Sequence, residues 1–429
     1  MLIGCGIGNT SATSATIAAV QLSGKLYGGQ QPVAGAALQL YAAGSTGYGS
    51  AAVALLKTAV TSGNDGSFTI TSDYKCPANA QVYIVATGGN PGLSPATATN
   101  PNLAMMTGLG ACSNLMPSTN IMINEMTTVA SVWALSRFMS GYAAVGTSAG
   151  NATGLTNAFA VIPELVDPAS GVTPGPALPV NAVLSTAELN TLADALAACV
   201  NSAGGAAGDT TLCGQLFSAT NTSGTNAGAP QDTIAAALSL ARNPTLNPST
   251  IFGLASSGAA FQPTLMTVPQ NFTVAITYSG GGLNAPASIA PDAAGNVWAA
   301  NAGNSTLTEL GPTGAAISPA GGFSGGGLNN PSALAIDNGG TVWVTNRSGN
   351  SVSLFSASTG SPLAASPVSG GGLSSPVSVA IDEDGSAWIA NAGNNSVSAI
   401  NAAFTVLSPA GGYIGAGVNQ PTAVAINSH

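Results

Sequence analysis

The sequence predicts a multidomain, mainly β protein: an N-terminal β-sandwich, a central α-helical segment, and a C-terminal incomplete β-propeller of three blades plus the start of a fourth. Three observations predict it. A phrase opening Ser-Gly-Gly-Gly-Leu begins at Ser279, Ser324 and Ser369, spaced 45 residues apart. A fixed period of roughly 40–50 residues built from short strands points to propeller blades. Residues 20–92 alternate in short extended runs, whereas residues 120–255 shift to helical spacing. The boundaries read as 1–19 (start and tether), 20–92 (sandwich), 93–270 (mainly helical) and 271–429 (repeats).

At the start, Leu2-Ile3-Gly4 directly precede Cys5. This resembles the bacterial lipobox, where a small residue precedes a cysteine that becomes lipidated, and it implies a lipid anchor on Cys5. The charged and apolar regions of a signal peptide do not stand upstream, so a late start or a fragment is expected. Gly6 to Ala19 is rich in Gly, Ser, Thr and Ala and reads as a flexible tether reaching about 20 Å. There are five cysteines, Cys5, Cys76, Cys112, Cys199 and Cys213. With Cys5 lipidated, four remain, an even number that suits an oxidising compartment. Proximity suggests Cys76–Cys112 and Cys199–Cys213; buried free thiols are the alternative. The spacing matches no zinc site.

In the sandwich segment, "VQLSGKLY", "AALQLYAAG", "GSFTIT" and "AQVYIVATGG" read as strands, with Asn64-Asp65-Gly66 as a turn. Ser23-Gly24, Pro32-Val33-Ala34-Gly35-Ala36, Asp65-Gly66-Ser67-Phe68 and the strand ending at Gly88 resemble the carboxypeptidase regulatory-like, transthyretin-like β-sandwich. That resemblance implies a non-catalytic spacer or adhesion module.

Four or five helices are expected next. Met126, Val129, Val132, Trp133 and Leu135 fall near helical spacing after an Asn124 cap. "NATGLTNAFAVIPELV" reads similarly. Ser185 and Glu188 stand in capping-box register. "QDTIAAALSLARNP" is closed by Pro244.

In the repeats, Pro286, Pro331, Pro376 and Pro421 keep the period, as do Trp298, Trp343 and Trp388 and Asn301, Asn346 and Asn391. In the second copy "SALAID" is the inner strand, Asn338-Gly339-Gly340 the turn, "TVWVTN" and "SVSLFSAS" the next strands, and "AASPV" a looser outer one. The tryptophans are expected at equivalent blade-core positions, and the three asparagines form a candidate ligand face or, alternatively, cap strand ends. The order Pro331, Ala335-Ile336-Asp337, Gly340, Val342-Trp343-Val344, Asn346 resembles an NHL repeat, three times over. The family usually has Asp where Asn301, Asn346 and Asn391 stand, and often Arg where Thr306, Ser351 and Ser396 stand. The fourth copy stops after "NQPTAVAINSH", so continuation of the natural chain is expected; a ring shared between chains or a covered end are the alternatives. "FTVAITY", ahead of the first copy, is a candidate closing strand.

Charged residues make up only 5% of 429 residues, with 15 acids against six Lys and Arg and a net charge of −9. No basic patch exists, which excludes nucleic-acid binding, and no apolar run is long enough to span a membrane as a helix. The sole histidine is His429, so Ser-His-Asp and Cys-His catalysis lack a base. Gly322-Phe323-Ser324-Gly325-Gly326 fits G-x-S-x-G but lacks the strand–elbow–helix setting. Asp382-Glu383-Asp384-Gly385 reads as a turn rather than a Ca²⁺ loop. The repeats also look like those of virginiamycin B lyase-type propellers, whose histidine and glutamate surround magnesium; no position here offers that histidine. The expectation is a non-enzymatic, lipid-anchored bacterial envelope or extracellular protein, without catalytic residues, metal or cofactor. Its partners would be protein or carbohydrate at the cell surface. The alternatives are a lyase or hydrolase with its active residues in missing blades, and self-association through open blade edges.

Overall fold

The computed structural model describes residues 16–427 except 18, 72, 78, 118, 257–259 and 416. Cys5, most of the tether and His429 lie outside the described residues. The chain forms two compact units. Unit 1 runs to Leu178 and resumes over Leu184–Ile276; unit 2 comprises Pro179–Val183 and the chain from Thr277 onward.

Unit 1 contains a β-sandwich of β1 (Leu22–Gly28), β2 (Ala37–Ala42), β3 (Ser67–Ile70), β4 (Gln81–Thr87), β5 (Ala104–Ala111) and β6 (Asn120–Ile123). One sheet runs β5-β4-β2, all antiparallel. In the other, β1 lies between antiparallel β3 and parallel β6. Alternate residues point inward, so Leu22, Leu26, Leu38, Leu40, Phe68, Ile70, Val82, Ile84 and Ile121 form one buried core. Gly24 is required where β1 meets β6, because a Cβ there would collide with the Ile121 carbonyl.

Strand β4 is buried on both faces. Val82 and Ile84 face the sandwich core, while Tyr83 and Val85 join the helical core. That core is built from α1 (Glu125–Leu135), α2 (Ala152–Leu165), α3 (Thr186–Val200), α4 (Leu212–Ala219), α5 (Thr233–Arg242) and α6 (Pro248–Ala255). Sandwich and helices therefore share a sheet, and the expected division at residues 92 and 93 does not separate two units. Residues 104–123, expected within a mainly helical segment, supply β5 and β6.

Asn124 caps α1 in a reciprocal capping box with Thr127. Helix α3 forms as expected with Ser185 at its N-cap and in contact with the Glu188 carboxylate, but the Ser185 hydroxyl makes no cap bond to the helix backbone; it bonds the Ala275 backbone instead. Helices α4 and α6 are additional to those read from the sequence. Two disulfides, Cys76–Cys112 and Cys199–Cys213, follow the expected pairing. No helix of the described residues is long and apolar enough to cross a membrane.

Unit 2 is an incomplete propeller. The first blade comprises β7 (Pro286–Pro291), β8 (Val297–Asn301) and β9 (Thr306–Leu310). The second comprises β10 (Pro331–Ile336), β11 (Thr341–Asn346), β12 (Ser351–Ser356) and β13 (Val368–Ser369), and the third β14 (Pro376–Ile381), β15 (Ala387–Asn391) and β16 (Ser396–Ile400). All pair antiparallel with a register shift two residues into each inner strand. In the first and third blades the outer strand shrinks to the bridges Leu307–Phe323 and Val397–Tyr413. Before the first blade, Ser279 pairs with Asn181, whose amide also donates to the Gly314 carbonyl. The expected closing strand "FTVAITY" thus ends against residues 179–183.

Candidate functional site

The repeated asparagines end the second strand of each blade and are fully buried. Asn301 Nδ2 donates to Thr306 at 3.1 Å and Thr308 at 2.9 Å. Asn346 does the same to Ser351 and Ser353 at 3.1 and 2.8 Å, and Asn391 to Ser396 and Ser398 at 3.1 and 2.8 Å. Each Oδ1 accepts a backbone N–H, from Asn284, Asn329 and Ser374 respectively. The expected ligand face is corrected: all three amides are engaged inside their blades, where they cap strand ends. Asn is needed because two N–H donors must meet two hydroxyls; an Asp would bring no donor and a buried charge.

The hydroxyls extend the network. Thr308, Ser353 and Ser398 donate to the carbonyls of Gly281, Gly326 and Gly371 at 2.6–2.7 Å. Ser318, Ser366 and Ser408 donate to the same carbonyls at 2.7–2.8 Å. This explains the Ser-Gly-Gly-Gly-Leu phrase. All three glycines of each copy have positive φ, for example 80°, 58° and 86° at Gly280, Gly281 and Gly282. A Cβ at Gly282 or Gly372 would collide with the backbone of Gly322 or Gly412.

Each tryptophan is tied to an aspartate six residues earlier. The Nε1 of Trp298, Trp343 and Trp388 donates to Asp292, Asp337 and Asp382 at 3.3, 2.9 and 2.8 Å. The other oxygen of each aspartate accepts turn N–H groups, from Asn296, Thr341 and Ser386. The acidic run at Asp382 is thus the same turn as that at Asp337, and no cluster of three metal-ligating residues occurs among the described residues. Trp298 packs with Leu334, Val342 and Phe355 of the second blade, and Trp343 with Val379, Ile389 and Ile400 of the third. Trp388 is half-buried and stacks on Tyr413.

Successive blades are joined by a repeated set of bonds. The N–H groups of Asn330, Ser375 and Gln420 donate to the side chains of Ser305, Asn350 and Asn395, 25 residues earlier. Leu334 and Val424 donate to Ser288 and Ser378. Equivalent positions then differ sharply in exposure: Leu334 is 6% and Val379 9% exposed, each covered by the preceding blade, whereas Ile289 of the first blade is 69% exposed.

Sequence reasoning missed four buried carboxylates, Glu125, Glu164, Asp194 and Glu309. Glu309, 4% exposed, shares the Asn296 amide with Asp292; burial and then Asp292 push its carboxyl up. In unit 1, Glu125 is fully buried in the first turn of α1, and both its oxygens accept the Gly29 N–H at 2.9 Å. Burial, with a smaller contribution from Asp194, pushes it up to about 8. Asp194 is also buried; its Oδ1 accepts from Ala260 and Phe261, while its Oδ2 has no partner. No lysine, arginine or histidine stands near them in sequence to flag such sites.

No protein-family model and no curated protein matches the sequence. Among solved structures it is similar to a streptogramin B lyase, at 16% identity over 30% of this chain and 40% of that one, TM-score 0.25. A virginiamycin B lyase from Staphylococcus aureus matches at 17% identity over 28% and 39%, TM-score 0.25. The extracellular domain of a hybrid two-component system from B. thetaiotaomicron matches at 18% over 38% and 21%, TM-score 0.28. The chain spans about two fifths of the lyases' length, and likenesses this slight establish no function for it.

Proposed function

We propose that this chain is a non-enzymatic, extracellular or envelope protein whose repeats form a neutral binding or scaffolding module, carried on Cys5 as a lipid anchor and spaced by a carboxypeptidase regulatory-like sandwich. One observation carries the reading. The aspartates repeated in all three blades hold turns and tryptophans, and the repeated amides and hydroxyls hold strands, so the repeat is built to be rigid rather than reactive. What such blades offer a partner is backbone, hydroxyl and amide groups, which suit protein or carbohydrate contacts with little dependence on salt. The two disulfides support an oxidising compartment. The test is sedimentation of the full chain with insoluble cellulose, chitin and envelope preparations, alongside a lactone-loss assay on virginiamycin B. Salt-insensitive co-sedimentation without lactone loss is expected; turnover of the antibiotic would replace this reading with the lyase one.

Exposed Ile289 favours a second reading, in which open blade faces pair between copies. It predicts a concentration-dependent increase in mass by light scattering that Ile289→Lys abolishes. A monomer at all concentrations argues against it.

A further inference from the structure

We infer that unit 1 carries a binding groove along α5 for a linear oligosaccharide bearing carboxylate groups, with Arg242 as the carboxylate-binding residue. This goes beyond the proposed function, which concerns neutral contacts of the repeats.

The groove encloses about 670 Å³. Asp232, Ala235, Leu238, Ser239 and Arg242 line it, at steps of three, three, one and three, so one face of α5 forms its floor. At 1.5 Å per residue this floor is about 15 Å long. The opposite side consists of Ser140–Ala144, including Tyr142, and the stretch around Thr220, Thr222 and Gln231. The Thr220 and Ser239 hydroxyls are spent on the Leu216 and Thr220 carbonyls, but exposed Thr222 and Gln231 offer a hydroxyl and an amide that both donate and accept, as sugar hydroxyls require, and Tyr142 offers a ring face.

The lining carries one charged residue at each end, and the cationic one is what points to a carboxylate ligand. Asp232 lies at one end, its Oδ1 engaged by the Ala235 N–H as the cap of α5. Arg242 lies at the other, in the last turn. Its Nε and Nη2 donate to the Ser136 and Met139 carbonyls, which fix the guanidinium plane. Among the described residues Arg242 forms no ion pair, and its Nη1 makes no hydrogen bond. An arginine held in place without a carboxylate partner, with Nη1 left free on the wall of a groove, offers a ligand carboxylate a charge-assisted hydrogen bond.

The test uses the full chain and two probes, tetragalacturonate and its fully methyl-esterified form, by isothermal titration calorimetry at low and high salt. Hydrogen–deuterium exchange locates the contact. The acid should bind at least tenfold tighter than the ester at low salt, lose that advantage at high salt, and protect residues 140–144 and 220–243. Arg242→Gln should erase the difference between probes while leaving polysaccharide sedimentation by the repeats unchanged. Should R242Q unfold, because the Ser136 and Met139 carbonyls lose their donor, the comparison of probes on the native chain decides alone. Equal affinity for acid and ester, absence of binding, protection elsewhere, or equal binding of tetraglutamate would each overturn the proposal.

Discussion

Glu125 makes the fold of unit 1 sensitive to pH in a direction opposite to that of a salt-bridged carboxylate. Its carboxyl is fully buried, has no cationic partner among the described residues and is pushed up to about 8 from an ordinary 4.5. A group raised in the folded state favours folding while protonated. Its stabilising contribution is complete below pH 4.5, declines between pH 4.5 and 8, and is lost above 8. At 1.36 kcal/mol per pH unit, ionisation inside the fold costs about 5 kcal/mol. Glu125→Gln keeps an acceptor for the Gly29 N–H and removes the charge. Urea unfolding of the full chain, followed at 222 nm because the six α-helices of the described residues all belong to unit 1, should show the native chain losing stability from pH 4.5 to 8. The variant should lose about 5 kcal/mol less over that range. Asp232 and Glu188 are raised too, by burial, and add a slope of the same sign to both proteins, which the difference between the proteins cancels; Asp194, also raised by burial, interacts with Glu125, so its share of the slope falls in the variant and adds to the difference. Equal slopes for native and variant, within about 1 kcal/mol, would refute the claim that the Glu125 carboxylate is buried at a net cost that its backbone hydrogen bonds do not offset.

The repeats give sharper tests by mutation. Asn346→Ala strands the Ser351 and Ser353 hydroxyls and the Asn329 N–H, and should destabilise unit 2 by about 2–4 kcal/mol in tryptophan-monitored unfolding. Asn346→Asp, nearly identical in shape, should be worse, and increasingly so as pH rises through the carboxylate range, because it buries a charge without supplying a donor. Gly372→Ala should be far more damaging than Gly370→Ala: both have positive φ, but only Gly372 abuts the Gly412 backbone, and differential scanning calorimetry would rank them. Replacing Cys199 and Cys213 with alanine opens a loop of 14 residues and should cost about 3 kcal/mol, read at 222 nm.

How much of this was legible from sequence follows from which constraints are local. The blades were legible because their strands, turns and tryptophans recur on a strict period, and the aspartate six residues before each tryptophan could have been read from the same alignment of copies. The asparagines were misassigned for a physical reason. A polar residue repeated at strand ends looks like a surface, and only the facing hydroxyls two strands' ends away show it to be interior. Those hydroxyls keep the period at Thr306, Ser351 and Ser396, so the pairing was there to be seen as a joint departure from the charged residues usual in NHL repeats. Ser318, Ser366 and Ser408 were not legible, since they are 48 and 42 residues apart. The loop before Ser366 is three residues longer, yet its hydroxyl reaches the same glycine carbonyl as the other two.

In unit 1 the failure has one source. Strand β4 reads "QVYIVAT", a continuous apolar run, and such a run means that both faces are covered. Its second face demanded a partner layer, which the helices provide; a domain boundary at residue 92 would have left Tyr83 and Val85 in water. Sharing that sheet forces β5 and β6 to come from beyond the expected boundary. It also carries α1, with Glu125 in its first turn, into a position where the carboxylate meets the backbone N–H groups of Gly29 and of Glu125 itself and the repulsion of Asp194. The buried acid is thus a consequence of the three-layer arrangement, and a sequence reading that separates the layers has no means of finding it.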